Sequence, residues 1–390
     1  MSIKIPENLR YLSELYVKDS PEAVLLTEYP SSNSEDTFLQ NKTEFIIHDP
    51  FPPPPRSLLK TLGPHHLMYG WGKYVSVTSE VRPPDALLEH WQRTFGTDGT
   101  PNWVEFNPNG QFITLFPLQS LDATQQVIDP AVNYELHSKE VIEKISCRQA
   151  DVFESVQYPC MVKLSHGYAG LGNYLLRSSS DETAMKSEQK KHWPSAKLVI
   201  NSVIENVVGD YGVQFYLHRD GTVVWIGLTE QHFNDANKWC GGSYSMRLQT
   251  KLLEPFAPIV SETAAYLNSQ GYHGLVGIDI LRDDSGECFL VDVNPRLTGI
   301  TPFLMASRIF AKQEGLTEGV YLASFRFDGS LQRLIETAES VPDCRVMVLS
   351  AFEDSAQEKP VTICHLSISS QSQSRNKEIL ESIKTGSSLG

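Results

Sequence analysis

The chain has 390 residues, and 41% of them are hydrophobic, which is enough to build cores in two or three domains. Its 33 Lys and Arg are outnumbered by 47 Asp and Glu, giving a net charge of −14. This charge argues against nucleic acid or an anionic membrane as the main partner. The six cysteines form no CxxC pair, and the sequence shows neither a signal peptide nor a run of about eighteen apolar residues. We therefore expect a cytoplasmic protein.

The first 132 residues combine short apolar runs with turn-forming residues. Residues 22–29 and 44–49 each read as a strand followed by a loop, as in an α/β unit with parallel strands. Residues 85–96 show helical spacing of apolar side chains, an acid at the start and a glycine at the end, which predicts a capped amphipathic helix. Residues 110–118 predict a short buried strand. We expect a small N-terminal α/β domain.

The pattern of predicted secondary structure changes near residue 133. From there to about residue 335 long strands alternate with glycine loops and helices, which predicts a second domain with parts at 133–205 and 206–335. The remaining residues, 336–390, begin with the strand-like run RVMVLSAF. They end in polar, serine-rich sequence, which we expect to form a frayed tail.

A glycine-rich segment, YPCMVKLSHGYAGLGNYLLRS, carries Lys163 at the end of an apolar strand. The loop that follows contains Gly167, Gly170 and Gly172, which let the backbone approach a polyphosphate, while a lysine offers a cation to its oxygens. The segment is not a Walker A loop, because no Gly-Lys-Ser/Thr ends it and a strand follows. A glycine-rich hairpin with an exposed lysine is the alternative interpretation.

A second segment, AKLVINSVIENVVGDYGVQFYL, suits a nucleotide base. A strand that ends at Ile204 leads through the irregular connection ENVVGD into a hairpin. Apolar side chains and backbone groups of such a connection can hold an adenine ring, and Asp210 just beyond it could bind ribose hydroxyls. An ordinary loop between strands is the alternative.

Residues 274–299, GLVGIDILRDDSGECFLVDVNPRLTG, form two strand-like runs around the turn-forming RDDSG. If Arg282 pairs with Glu287 across a four-residue loop, Asp279 and Asp292 share one face, because side chains alternate along a strand. A five-residue loop would send Asp279 to the opposite face.

The polar groups of this hairpin predict a metal site. Asp279, Asp292 and Asn294 would repel one another on a shared face unless a cation joins them, and few hard oxygen ligands suit Mg²⁺. Arg296 follows Pro295 as a planar cation for an anionic client. Acids at strand ends in solvent are the alternative.

The segment TEQHFNDANKWCGGSYSMR, residues 229–247, suits a substrate-lining loop. Its polar groups Gln231, His232, Lys238 and Arg247 could orient a carboxylate or provide a base. His232 could equally be a hydrogen-bonded surface residue.

These segments, in this order, resemble the ATP-grasp superfamily over roughly residues 133–335, and VDVNPRLTG is the most specific match. The resemblance implies an α/β (α+β) class, with ATP between two α+β subdomains and a smaller Rossmann-like domain in front. The nucleotide-binding residues that it implies by position are Lys139, Lys163, Gly167, Gly170, Gly172, Glu205, Val207, Val208 and Asp210.

The resemblance also implies Mg²⁺ or Mn²⁺ on Asp292 and Asn294, with Asp279 added if the predicted register holds. Asp292 departs from the family pattern, in which this ligand is commonly the longer glutamate. Arg296 and Lys163 would be the catalytic cations, with Arg296 facing the carboxylate substrate or its acyl phosphate.

The reaction implied by the resemblance is ATP-dependent ligation. A carboxylate attacks the γ-phosphate of ATP to form an acyl phosphate and ADP, and an amine then displaces phosphate to form an amide or peptide bond. We expect small-molecule partners, no nucleic acid or membrane, and a chain compatible with a homodimer. The alternatives are a bicarbonate- or carbamoyl-type ligase and a non-catalytic nucleotide-binding scaffold.

Overall fold

The computed structural model describes residues 3–30, 41–48, 54–167, 170, 172–235, 238–354 and 359–385. The strands in chain order are β1 (Ile3–Lys4), β2 (Val24–Leu26), β3 (Val77–Thr78), β4 (Phe112–Thr114), β5 (Cys160–Leu164), β6 (Asn173–Leu176), β7 (Leu198–Ser202), β8 (Val207–Leu217), β9 (Val223–Phe233), β10 (Trp239–Ser245), β11 (Gly274–Asp283), β12 (Cys288–Asn294), β13 (Glu318–Phe327), β14 (Arg345–Asp354) and β15 (Val361–Ser370). The α-helices are α1 (Ser13–Tyr16), α2 (Arg56–Met68), α3 (Asp85–Phe95), α4 (Pro130–Leu136), α5 (Ser179–His192), α6 (Met246–Ser269), α7 (Thr301–Glu314), α8 (Leu331–Ser340) and α9 (Gln373–Thr385).

The N-terminal region contains a parallel sheet in the order β3-β2-β4. The strands predicted in 22–29 and 110–118 are present as β2 and β4, and the predicted helix is α3, which ends at Gly96 with φ +72°. The sequence predicts a strand at residues 44–49, and for the described residues 44–48 this prediction is wrong. The strand pairing of these five residues is limited to a single bridge between His48 and Gly167. Phe45 has φ +53°, which a strand cannot accommodate.

The middle of the chain forms a small antiparallel sheet in the order β6-β5-β7. Helix α5 covers it, and Cys160, Val162, Leu176 and Met185 form its buried core. β5 ends beside the glycine-rich loop, so this sheet carries Lys163 to the site.

A large sheet in the order β12-β11-β8-β9-β10-β13-β15-β14 forms the body of the protein, with β1 added in parallel to β9. Helix α6 buries Phe256 and Val260 in a core shared with β8, β9 and β11. The sheet holds the hairpin β11–β12 rigidly at its edge, because β11 is paired with β8 along its whole length.

The C-terminal residues pack on and into this sheet, and the predicted frayed tail is wrong for residues 367–385. β15 lies between β13 and β14, and α9 buries Ile379 and Ile383. Ser367, Ser369 and Ser370 are buried in β15, since small hydroxyl residues fit a strand whose backbone is hydrogen-bonded on both sides. The predicted strand at the start of this region is present as β14, and residues 386–390 lie outside the described part.

The N-terminal helices pack directly on the C-terminal strands. Trp91 Nε1 donates a hydrogen bond of 3.0 Å to Val348 O, and Val348 N donates one of 3.1 Å to His90 Nε2. One hydrophobic core runs from Trp71 and Trp91 to Leu366. The helices in the described part of the chain lack the length and apolar character that a membrane crossing needs.

Candidate active site

A cavity of about 680 Å³ lies where the three sheets meet. The small sheet contributes Lys163 to its wall, the large sheet contributes Asp210, Asp279 and Asp292, and the N-terminal region contributes helix α2. The cavity therefore has one end at the predicted nucleotide and metal residues and another end at the N-terminal domain.

The hairpin β11–β12 brings the two predicted metal carboxylates together, but through a different register. Arg282 pairs with Cys288, so the loop has five residues and the predicted pairing with Glu287 is wrong. A β-bulge between Asp279 and Ile280 in the pairing then places Asp279 directly opposite Asp292. The extra residue in β12 compensates for the longer loop, because it shifts the alternation of side chains by one position.

The bulge residue also positions a lysine. Val291 is the extra residue of β12, and its carbonyl oxygen accepts a 2.9 Å hydrogen bond from Lys163 Nζ. A bulge leaves backbone groups outside the ladder, and here one of them fixes a cation from another sheet. Lys163 thus lies beside Asp292, although β5 and β12 belong to different sheets.

Three carboxylates and two lysines form a compact charged cluster. Lys139 Nζ forms an ion pair with Asp292 Oδ1. Burial acts to raise the pKa of Asp292, but Lys139 and Lys163 together hold it below its ordinary value. Burial raises the pKa of Asp279 to about 8, and the neighbouring charges of Asp292 and Asp210 add to this rise. The pKa values of the facing acids Asp279 and Asp292 therefore move in opposite directions. The two lysines supply too little positive charge to favour the ionised form of both.

The other members of the cluster are also perturbed. Burial raises the pKa of Asp210 to about 6, opposed by Gln231 and Lys163. Burial lowers the pKa of Lys163, opposed by the three carboxylates. A further cation near these acids would stabilise their charged forms.

The donor set suits Mg²⁺ that takes most of its ligands from elsewhere. The described residues contain no group of three or more His, Cys, Asp or Glu side chains that could hold a metal ion by themselves. They do present facing Asp279 and Asp292, with Asn294 Nδ2 donating a 3.3 Å hydrogen bond to Asp292 Oδ2. Mg²⁺ commonly binds one or two carboxylates and completes its octahedron with water and phosphate oxygens. The residues present therefore fit this ion.

Lys139 is held at the cluster by the chain around it. It opens a short 3₁₀ helix, Lys139–Lys144, whose N-cap is Ser138. Lys139 N donates a 2.9 Å hydrogen bond to Ser165 O, and the hydroxyls of Ser138 and Ser165 lie 2.8 Å apart. These contacts tie the lysine to the end of β5.

The predicted glycines do not share one role. Gly167 and Gly170 line the cavity, whereas Gly172 does not. Gly172 has φ +74°, and a Cβ there would lie 2.3 Å from Leu164 Cδ1. Its function is to return the chain past Leu164, and residues 168, 169 and 171 lie outside the described part.

Replacing Gly172 with alanine should destabilise the protein more than replacing Gly170. Both have positive φ, where alanine costs about 1–2 kcal/mol, but a Cβ at Gly170 meets no described atom within 4 Å. Gly172→Ala adds a clash with Leu164, for a total of about 3 kcal/mol. We expect thermal melts to show a clearly larger loss for Gly172→Ala; equal losses would contradict the role of Leu164.

Three of the predicted base-binding residues lie outside the cavity wall. Val203 and Ile204 line the cavity, but Glu205, Val207 and Val208 do not. The Val207 and Val208 side chains are 41% and 61% exposed. β8 begins at Val207, and Val207 and Val208 face outward, so the apolar part of this cavity wall comes from the connection before the strand.

One residue of the predicted substrate loop faces the cavity. Gln231 lines it, while His232 points away and its Nε2 lies 3.2 Å from Ser243 Oγ, because neighbours on β9 face opposite sides. Lys238 and Arg247 are exposed and lie outside the cavity wall. The substrate roles predicted for His232, Lys238 and Arg247 therefore have no support in the geometry.

Arg296 is rigidly placed at the junction between the two ends of the cavity. It is 9% exposed, and its guanidinium lies 4.7 Å from the centre of the Phe116 ring. Its Nη2 donates a 3.0 Å hydrogen bond to Asn294 Oδ1, and Nη1 donates one of 3.0 Å to Leu297 O. A planar cation held this way can receive a carboxylate or an acyl phosphate.

The wall from the N-terminal region has no counterpart in the sequence-based predictions. Helix α2 lines the cavity with Arg56, Leu59, Lys60, Gly63 and His66. Their spacing places them on one helix face, which periodicity could have revealed. Nothing in the sequence shows that this face meets the nucleotide-binding region.

Comparison with known proteins agrees with this arrangement. Residues 138–294 match the family model "L-aspartate--L-methionine ligase, ATP grasp". The structure of purK, an N5-carboxyaminoimidazole ribonucleotide synthetase in complex with ADP, is similar at a TM-score of 0.52 and 12% identity, over 82% of this chain and 93% of that chain. N5-carboxyaminoimidazole synthetase from Staphylococcus aureus, also with ADP, gives 0.52 and 11% over the same shares. No curated protein sequence matches the chain.

The structures named above share the fold of this chain, and the predicted fold class is confirmed. The match to an ATP-grasp ligase model covers residues 138–294, and the solved structures share the fold of most of the chain. The domain limits at 132 and 335, and the roles of individual site residues, stay predictions.

Proposed function

We propose that the protein joins two amino acids, or an amino acid and another small amine, through an acyl phosphate made with ATP and Mg²⁺. The observation that carries this proposal is the cluster of Lys139, Lys163, Asp279 and Asp292 at one end of a cavity whose other end is lined by the N-terminal region. The family model over residues 138–294, described as an L-aspartate–L-methionine ligase, supports amino acids as the substrates.

Different residues of the cavity would bind the phosphates, the base, the ribose and the metal ion. Lys139 and Lys163 would neutralise phosphate oxygens, and Val203 and Ile204 would contact the base. Asp279, Asp292 and Asn294 would hold Mg²⁺, which supplies charge neutralisation when bound. Asp210 would reach the ribose.

Arg296 would orient the carboxylate that becomes phosphorylated. Its position over Phe116, between the metal residues and the N-terminal wall, suits a group that must hold the substrate in line with the nucleotide. Exclusion of water from the cavity during turnover would protect an acyl phosphate from hydrolysis. No protein nucleophile is required, because the amine substrate attacks the acyl carbon directly.

A phosphate-release assay tests the proposal. Purified protein with ATP and Mg²⁺ is supplied with single amino acids and with pairs, including L-aspartate with L-methionine, and products are identified by mass. We expect ADP formation to rise strongly only when a carboxylate donor and an amine are both present, with a product lighter by one water than their sum. ADP formation driven by bicarbonate alone would contradict the proposal and select the carboxyphosphate-forming alternative.

A further inference from the structure

A buried carboxylate in the N-terminal wall of the cavity has no charged partner. Glu28 follows β2, is 8% exposed and lines the cavity. Its Oε1 accepts a hydrogen bond from Glu80 N, but its Oε2 is buried without any hydrogen-bond partner. Burying a carboxylate oxygen without a hydrogen-bond partner is unfavourable in free energy. A ligand that contacted this oxygen would remove that cost.

The cations nearby are already engaged by a different acid. Arg56 Nη2 lies 3.2 Å from Glu80 Oε1, and Lys60 Nζ forms an ion pair with the same oxygen. Among the described residues no ion pair involves Glu28. Burial raises the pKa of Glu28 to about 7, and the nearby Glu80 charge adds to the rise. A ligand with its own positive charge would stabilise the ionised carboxylate.

An organic ammonium suits this place better than a metal ion. A divalent metal needs several oxygen ligands, and Glu80, the acid beside Glu28 among the described residues, is taken up by Arg56 and Lys60. The cavity wall also includes the apolar and aromatic side chains of Tyr29, Leu62 and Phe116. An ammonium group on a carbon chain can use both the charge and the apolar wall.

This end of the cavity is close to Arg296. Phe116 lies under the Arg296 guanidinium. Burial raises the pKa of Tyr29, next to Glu28 in the chain, and the charge of Arg296 opposes that rise. Arg296 and Glu28 line the same cavity, and an amino acid carries the two charges that they would bind, a carboxylate for Arg296 and an ammonium group for Glu28.

We propose that Glu28 binds the ammonium group of the amino acid whose carboxylate is activated beside Arg296. This inference rests on the proposed function. The donor's ammonium keeps its charge throughout the reaction, whereas the attacking amine must be neutral to use its lone pair. The donor's ammonium can therefore stabilise the buried Glu28 carboxylate in every step of the reaction, which the acceptor's amine cannot do. Glu28 recognises the acyl donor and not the acceptor.

Hydroxylamine isolates the donor site, because it can replace the amine substrate. Its nitrogen attacks the acyl carbon, phosphate leaves, and a hydroxamate forms without occupation of an amino-acid acceptor site. The donor identified by the phosphate-release assay is compared with its analogue lacking the amino group, which is succinate if the donor is L-aspartate. Glu28→Gln keeps the oxygen that accepts from Glu80 N and removes the charge. Glu22→Gln, on an exposed residue outside the cavity wall, is the matched control.

We expect Glu28→Gln to raise the KM for the donor amino acid at least about tenfold, the effect of losing roughly 1.4 kcal/mol of binding. The KM for ATP and the rate with the deaminated analogue should stay close to wild type, and Glu22→Gln should behave as wild type. An unchanged donor KM, or equal losses with the amino acid and its analogue, would overturn the role of Glu28. A rise confined to the KM of the amine acceptor would also overturn it. Absence of hydroxamate from wild-type protein with every carboxylate would instead refute the proposed function itself.

Discussion

Replacing Asp292 with asparagine should lower ADP formation by about a thousandfold or more, since loss of about 4 kcal/mol of charge stabilisation corresponds to that factor. Asp292 faces Asp279 across the hairpin and pairs with Lys139. The substitution removes a metal-binding charge and releases Lys139 from its partner. The measurement is steady-state ADP formation with saturating ATP and Mg²⁺, together with a thermal melt.

The matched control for Asp292→Asn is Asp284→Asn in the turn of the same hairpin. Asp284 is exposed and lies outside the cavity wall, so this variant should keep wild-type turnover. Asp292→Asn should remain folded, because asparagine preserves the shape of the side chain. Near-normal turnover in Asp292→Asn would refute the assignment of the metal site.

Replacing Arg296 with lysine should lower kcat/KM for the carboxylate donor by about a hundredfold, equivalent to about 2.7 kcal/mol. Lysine keeps the charge but cannot make the two fixed hydrogen bonds to Asn294 Oδ1 and Leu297 O while stacking on Phe116. A mobile point charge orients a carboxylate poorly compared with a planar fork. ATP affinity, measured by titration calorimetry, should change little.

Arg308→Lys provides a control for the loss of a largely buried arginine. Arg308 lies on α7 outside the cavity wall, and its Nη2 donates a 3.0 Å hydrogen bond to Pro6 O. This variant is expected to lower stability without a selective loss of donor kcat/KM. If both lysine variants reduced turnover equally, the effect at Arg296 would be structural and its substrate role would be wrong.

Much of the polar machinery could be found from local patterns. Lys163 is next to a glycine loop, and Asp279, Asp292 and Asn294 interrupt apolar strands, where unpaired carboxylates are costly. Those patterns depend on residues that are neighbours in the sequence, so they can be recognised without knowledge of the fold. The polar C-terminal residues show the opposite case, because their composition predicts a tail while their contacts make β15 and α9 part of the core.

The register of the β11–β12 hairpin shows why local patterns can reach a correct outcome through a wrong step. The turn is one residue longer than predicted, which alone would separate Asp279 from Asp292. The bulge at Val291 reverses that effect. A bulge is stabilised by partners outside the hairpin, here Lys163 at the freed carbonyl, so the hairpin sequence does not specify it.

The sequence by itself determined the α/β class, the order of the lysine, base and metal segments, and the type of chemistry that their side chains can perform. Those properties follow from residue types and short spacings along one strand or loop. Only the tertiary structure decided that helix α2 and Glu28 share a cavity with the β11–β12 hairpin, that Val203 and Ile204 line this cavity while Val207 and Val208 do not, and that His232 faces away. These outcomes depend on how separate sheets pack and on which side of a strand each residue falls, and such long-range contacts leave no local signature.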